Sequence, residues 1–260
     1  TGANNTAVGF QALEKNTTGT ENTTIGMNSS ASNTTASYNT AVGAAALNAT
    51  TTGAENTAVG RHALLTNTTG QYNVAIGKDA LKVLTTTEQN TVVGSYAANA
   101  ITTGGYNSVL GYHALGTATT GQENVVVGYK AAEDTTTGSN NVCVGFKAGH
   151  KVTTAGSVVC VGNQAGNDQI TGGGDQLYIA RLNQSSGNAS TWIYGNSSGA
   201  CYQGNNSSSW STTSDRRLKK NIVNNTKGLA EINQLRITDF EYKNEEEIDM
   251  SEFPLADGAH

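Results

Sequence analysis

The chain has 260 residues, 31 glycines, a single proline (Pro254) and a formal net charge of −5. Only 13% of it is charged, against roughly 25% in an ordinary globular domain, so its polarity rests on Thr, Asn and Ser rather than on ions. No basic block marks a nucleic-acid groove, no G-X-Y period marks collagen, and no apolar run approaches the roughly 20 residues of a membrane-spanning helix. Neither nucleic-acid binding nor membrane insertion is therefore expected. The opening Thr-Gly-Ala-Asn-Asn-Thr-Ala-Val-Gly reads as the second half of a repeat, which leads us to expect a longer parent protein.

From there a ruler runs along the chain. Gly9, Gly26, Gly43, Gly60, Gly77, Gly94, Gly111, Gly128, Gly145 and Gly162 each stand 17 residues from the next. A fixed period of this kind is the mark of a stacked solenoid. Four residues before the glycine stands an asparagine in nine coils: Asn5, Asn22, Asn39, Asn56, Asn73, Asn90, Asn107, Asn124 and Asn141. A branched aliphatic residue directly precedes every anchor glycine, alanine usually follows it by three, and a Thr-Thr pair such as Thr17-Thr18 follows by eight and nine.

The segment Asn-Thr-Ala-Val-Gly is short, β-branched and bounded by turn residues, so it predicts one strand per coil. Alternation puts the residues one and three before the glycine on one face and the residue two before it on the other. In later coils both faces are apolar, as in Val125, Val126 and Val127. The coil's own return segment covers one face; the other calls for a partner chain, and a parallel in-register homo-oligomer is the simplest solution. Stacked asparagines would form an amide ladder. At about 4.8 Å per coil, ten coils make a rod of about 45 Å.

The motif N-T-A-V-G-x-x-A-L resembles the head repeats of trimeric autotransporter adhesins and of many phage tail fibres. That resemblance implies an all-β fold: a left-handed parallel β-roll of ten 17-residue coils, associated as a homotrimer. Two other repeat readings fit less well. Calcium-binding solenoids need a reliably acidic coil position, which is missing here. Ice-binding solenoids need threonines separated by one residue, whereas these are adjacent and would point to opposite sides if extended.

Cys143 and Cys160 occupy the same place in adjacent coils and read as buried free thiols. The four histidines, His62, His113, His150 and His260, lack metal-ligand spacing. His62 and His113 share a coil position and are expected on the surface. No metal and no other cofactor is expected. The acids Glu14, Asp79, Glu133 and Asp134 form no repeated pair of the kind a glycan-cleaving enzyme needs.

Beyond Gly162 the period decays, and Gly172-Gly173-Gly174 marks a change of geometry. Short strands are expected over 176–180, 191–195 and 200–203, closing the end of the trimer. Trp192, Tyr194, Tyr202 and Trp210 suit either a sugar-stacking surface or an interchain core, and the core is the preferred reading.

At Ser214-Asp215-Arg216-Arg217-Leu218-Lys219-Lys220-Asn221-Ile222 the residues alone predict a capped basic helix with Leu218 and Ile222 on its buried side. Yet S-D-x-R-L-K-x-x-I followed by G-L-x-x-I-x-x-L-R (Gly228 to Arg236) strongly resembles the intramolecular chaperone at the C-terminus of phage tail fibres and tailspikes, of the peptidase S74 type. The resemblance implies that this domain trimerises, templates the upstream β-structure and then cuts itself off. It puts the nucleophile at Ser214, the base at Lys219 and the cut between Ser214 and Asp215. An acyl shift onto the preceding carbonyl would instead cut between Thr213 and Ser214. A helix over 227–236 and a strand over 237–243 should follow, in a segment expected to hold only the N-terminal part of an α+β domain.

The expected organisation is therefore a β-roll shaft over 1–172, a β-rich connector over 173–213 and the start of the chaperone over 214–260. The expected function is structural and adhesive: an extracellular, virion-borne tail-fibre trimer that attaches to a host-surface glycan or protein. Its only expected enzyme activity is a single-turnover self-cleavage. A bacterial trimeric surface adhesin built from the same modules is the alternative.

Overall fold

In the computed structural model the described residues are 2–167, 170, 174–181 and 191–203. Each coil supplies one short strand ahead of its anchor glycine: β1 (Thr6–Val8), β2 (Thr23–Ile25), β3 (Thr40–Val42), β4 (Thr57–Val59), β5 (Val74–Ile76), β6 (Thr91–Val93), β7 (Ser108–Leu110), β8 (Val125–Val127), β9 (Val142–Val144) and β10 (Val158–Val161). They pair in parallel in strict sequence order, so Thr40 faces Thr57 and Val42 faces Val59. The expected all-β parallel solenoid of ten 17-residue coils is what the structure shows. The sheet then continues past the last anchor glycine. β11 (Gln176–Ala180) adds to β10 in parallel after a connection one residue longer than the others, and β12 (Thr191–Gly195) and β13 (Cys201–Gln203) follow antiparallel.

The anchor glycine answers two constraints together. Gly60 has φ of 130°, a conformation L side chains rarely adopt, and a Cβ there would lie 2.6 Å from the carbonyl oxygen of Gly77 in the next coil. Three further positions per coil are left-handed, and in the first eight coils none of them is glycine, for example Glu55 (φ 58°), His62 (φ 58°) and Leu64 (φ 50°). Each costs about 1–2 kcal/mol of backbone strain. The rotation turns their N–H groups along the stack, where Glu55 and His62 donate to Ser37 and Ala44 of the preceding coil and Leu64 donates to Ala80 of the next. Hydrogen bonds between coils thus hold what the local backbone disfavours.

Two side-chain ladders reinforce the stack. The backbone N–H of Asn56 donates to Oδ1 of Asn39 (2.9 Å), its own Nδ2 donates to the Gly70 carbonyl (2.9 Å), and its Oδ1 accepts from the Asn73 N–H (3.0 Å). The same pattern continues to Asn141, whose Oδ1 accepts from the backbone of Val158 where the asparagine column stops. Beside it, the first threonine of each pair from Thr17 to Thr136 donates its hydroxyl to a carbonyl one coil on, as Thr51 does to Thr68. The second threonine, as in Thr86 and Thr103, is exposed. The pairs lie in bends rather than in a strand, so the two faces inferred from extended geometry do not apply.

The core is a narrow column filled from three or four positions per coil. Ala58, Ala63 and Leu64 are fully buried in one coil, and Val92, Ala97, Ala98 and Ile101 in another. Cys143 and Cys160 face each other in register on β9 and β10, both buried and free. A hydrogen bond to Cys143 and burial push the Cys160 thiol above its ordinary pKa.

Candidate functional site

Because a 17-residue coil closes on so little volume, only the middle residue of each strand from β2 to β9 turns inward, while β10 buries Val158 as well as Cys160. Val109 is 3% exposed, whereas its neighbour Leu110 is 51% exposed. The same division runs from β2 to β9 and leaves Ile25 and Ile76, directly before their anchor glycines, and Val125, three residues before its own, uncovered on the outer face; Val8 and Val161 of the end strands are uncovered as well. The residues directly before the anchor glycines form a branched-aliphatic column with one residue every 4.8 Å or so, in which Val42, Val59, Val93, Val127 and Val144 are half-buried and the rest exposed. Isolated exposed apolar residues are ordinary, but an ordered column of them marks an interaction face.

Two residues further along, past the anchor glycine, a second column carries Phe10, Met27, Tyr112, Tyr129 and Phe146, all exposed. Here the coil period brings rings into face-to-face stacks, with Tyr112 and Tyr129 centred 5.6 Å apart and 10° from parallel, and Tyr129 and Phe146 5.4 Å apart at 8°. Lys130 and Lys147 lie over the rings of Tyr129 and Phe146. Three of the four scattered acids, Asp79, Glu133 and Asp134, turn out to be paired. Asp79 meets His62 at 3.0 Å, and Glu133 meets His150 at 2.9 Å, Lys130 at 3.1 Å and His113 at 3.7 Å. The hydrogen bond to Glu133 raises the pKa of Lys130. These carboxylates serve cross-coil contacts on the solenoid wall.

On the antiparallel extension Tyr194 and Tyr202 are cross-strand partners with rings stacked at 4.8 Å, and Tyr194 packs against the solenoid core. Trp192 lies 61% exposed. Trp210 lies outside the described residues, as do Ser214, Asp215 and Lys219. Residues 1–211 form one compact unit, and 212–260 a second.

Residues 214–253 match the family model described as the chaperone of endosialidase (peptidase S74). No curated protein and no solved structure matches the chain. A parallel β-solenoid followed by a chaperone-of-endosialidase segment fits a tail-fibre-like protein with a C-terminal chaperone domain.

Sequence reasoning singled out the asparagine column and the Ser214 region but passed over the ring column and the carboxylate pairs. The rings were legible, since Tyr112, Tyr129 and Phe146 stand one coil apart in sequence. The contact between His113 and Glu133 was not, because it joins two different coil positions.

Proposed function

We propose that the protein is the shaft of a virion-borne attachment fibre, assembled as a homotrimer and matured by self-cleavage at its chaperone segment. The observation that carries this reading is the uncovered aliphatic column just upstream of a chaperone-of-endosialidase match. A β-solenoid with regular coils has a registration problem, because a slip of 17 residues presents nearly the same surface to its neighbours. A trimerising chaperone at one end supplies the missing reference. The column, covered in the trimer, then contributes burial at about 25 cal/mol per Å².

In this reading Lys219 accepts the proton of the Ser214 hydroxyl as its oxygen attacks the scissile carbonyl. That carbonyl is Thr213's for a cut before Ser214 and a neighbouring protomer's for a cut after it, because attack on the residue's own carbonyl would close a four-membered ring. The amine leaves with that proton, and water hydrolyses the resulting ester. A lysine with an ordinary pKa of about 10.4 does this near neutrality only when desolvated, which makes cleavage conditional on assembly. The attachment partner is a host-surface glycan or protein.

The test is to express the full-length protein as wild type and as Ser214→Ala, followed by denaturing gels and native mass measurement. Wild type should yield two fragments and a trimeric upstream product, and the variant should remain intact. The fragment masses place the cut after Ser214 or before it. An uncleaved wild type, or a monomeric shaft, overturns the reading.

A further inference from the structure

We infer that the edge of the solenoid carrying Tyr38, Tyr72 and Tyr106 is a binding track for an extended, uncharged polysaccharide. The three tyrosines occupy the position five residues before the anchor glycine in alternate coils, and Glu55, Gln89 and Glu123 occupy it in the coils between and beyond them. All six have φ between 58° and 62° and are exposed. The shared left-handed backbone presents them in one line. Rings two coils apart recur every 9.6 Å or so, a length on the order of one disaccharide unit in an extended chain.

The chemistry of this edge suits a sugar. The C–H face of a pyranose packs on the negative face of an aromatic ring. Among the described residues no other ring stacks on these three tyrosines, unlike Tyr112 and Tyr129. Beside Tyr106 lies an open cleft of about 390 Å³ lined by Thr86, Thr87, Glu88, Thr103, Gly105 and Gln122 along with the tyrosine itself. Its origin is specific. Gly105 carries no side chain where the equivalent residues Glu88 and Gln122 of the flanking coils each carry a long one. The Thr86 and Thr103 hydroxyls have no protein partner among the described residues, so they are free to bond sugar hydroxyls. A pocket with an aromatic wall and a few convergent polar groups is the usual form of a small-ligand subsite.

Charge selects the ligand further. Glu55, Glu88 and Glu123 accept hydrogen bonds from hydroxyls but repel carboxylate and sulfate groups. The polysaccharide is therefore neutral. Tyr106 stands ahead of β7 and Leu110 at its far end, so the track and the aliphatic column occupy different positions of the coil. This inference names the ligand class for the attachment reading above and rests on it only for the biological setting. Binding is read independently of trimer mass and cleavage.

The test uses the full chain and four hexasaccharides: β-1,4-linked glucose, N-acetylglucosamine and mannose as neutral probes, and a heparin hexasaccharide as an anionic one. Calorimetry gives the affinities. Asparagine already holds the same left-handed position at Asn4 and Asn140, so Tyr38→Asn, Tyr72→Asn and Tyr106→Asn remove the rings while keeping the backbone. The triple variant should bind a neutral probe about tenfold more weakly or worse, with unchanged melting and mass. Gly105→Gln, which fills the cleft with a side chain found at Gln71 and Gln122, should also weaken binding with every ring in place. Failure of wild type to bind any neutral probe, equal binding by the triple variant, or a preference for heparin overturns the inference. Any of these with an intact trimer and normal cleavage leaves the fibre reading standing.

Discussion

The sulfur of Cys143 fills the volume in which a side chain on Gly149 would begin: a Cβ there would lie 2.5 Å from Sγ. Gly166 stands in the same relation to Cys160, also at 2.5 Å. Earlier coils divide the space differently, with Ala58 opposite Leu64 and Val126 opposite Ala132. Val109 with Leu115 looks like an exception until the third inward position is counted, where Ala118 replaces the bulkier Ile101 of the preceding coil. Each coil has one volume to fill, and close packing makes its residues depend on one another.

That dependence can be measured. Ala98 and Ala132 adopt the left-handed backbone at the position equivalent to Gly149, so Gly149→Ala is conformationally accessible and its main penalty is overpacking. The single substitution should lower stability by about 2–3 kcal/mol in urea unfolding. In a Cys143→Ala background the same change should cost about 1 kcal/mol, leaving a coupling of about 1–2 kcal/mol. Additive effects would show that the sulfur does not set the space at Gly149.

Adjacent residues on β7 should respond in opposite ways to the same substitution. Val109→Asp puts an unpaired carboxylate in the core and should abolish the native circular dichroism signal. Leu110→Asp puts it on the outer face and should leave the signal of the coils intact while lowering the oligomer mass. Equal damage from the two, or an unchanged mass for Leu110→Asp, would contradict the assignment of the outer column to chain association.

The thiols give a pH-dependent prediction. Cys201 is exposed, whereas Cys143 and Cys160 are buried. At pH 8 a thiol reagent should modify Cys201 promptly and the other two only in denaturant. The Cys160 pKa is raised in the folded state, so the native chain keeps a proton that the unfolded chain releases above about pH 8.5. Its contribution to stability is therefore complete below that pH and is lost as the pH climbs toward the folded value. Urea midpoints in Cys160→Ala should fall less steeply between pH 8 and pH 10 than in wild type.

Much of this protein is local in origin and could be read from the sequence. The 17-residue interval of the glycines defines the coil, the Asn-x-x-x-Gly segments define its strand, and the runs after Gly162 announce β11 to β13. Each of these depends on residues within one coil or on their repetition. What the sequence left open was which side of the strand turns inward, because Val125, Val126 and Val127 are equally apolar. Only the tertiary structure decides it. A coil this tight has room for one strand residue, so Val126 is buried and its two neighbours face outward. The exchange of volume between Cys143 and Gly149 and the alignment of Tyr38, Tyr72 and Tyr106 along one edge depend on closure and stacking of the coils.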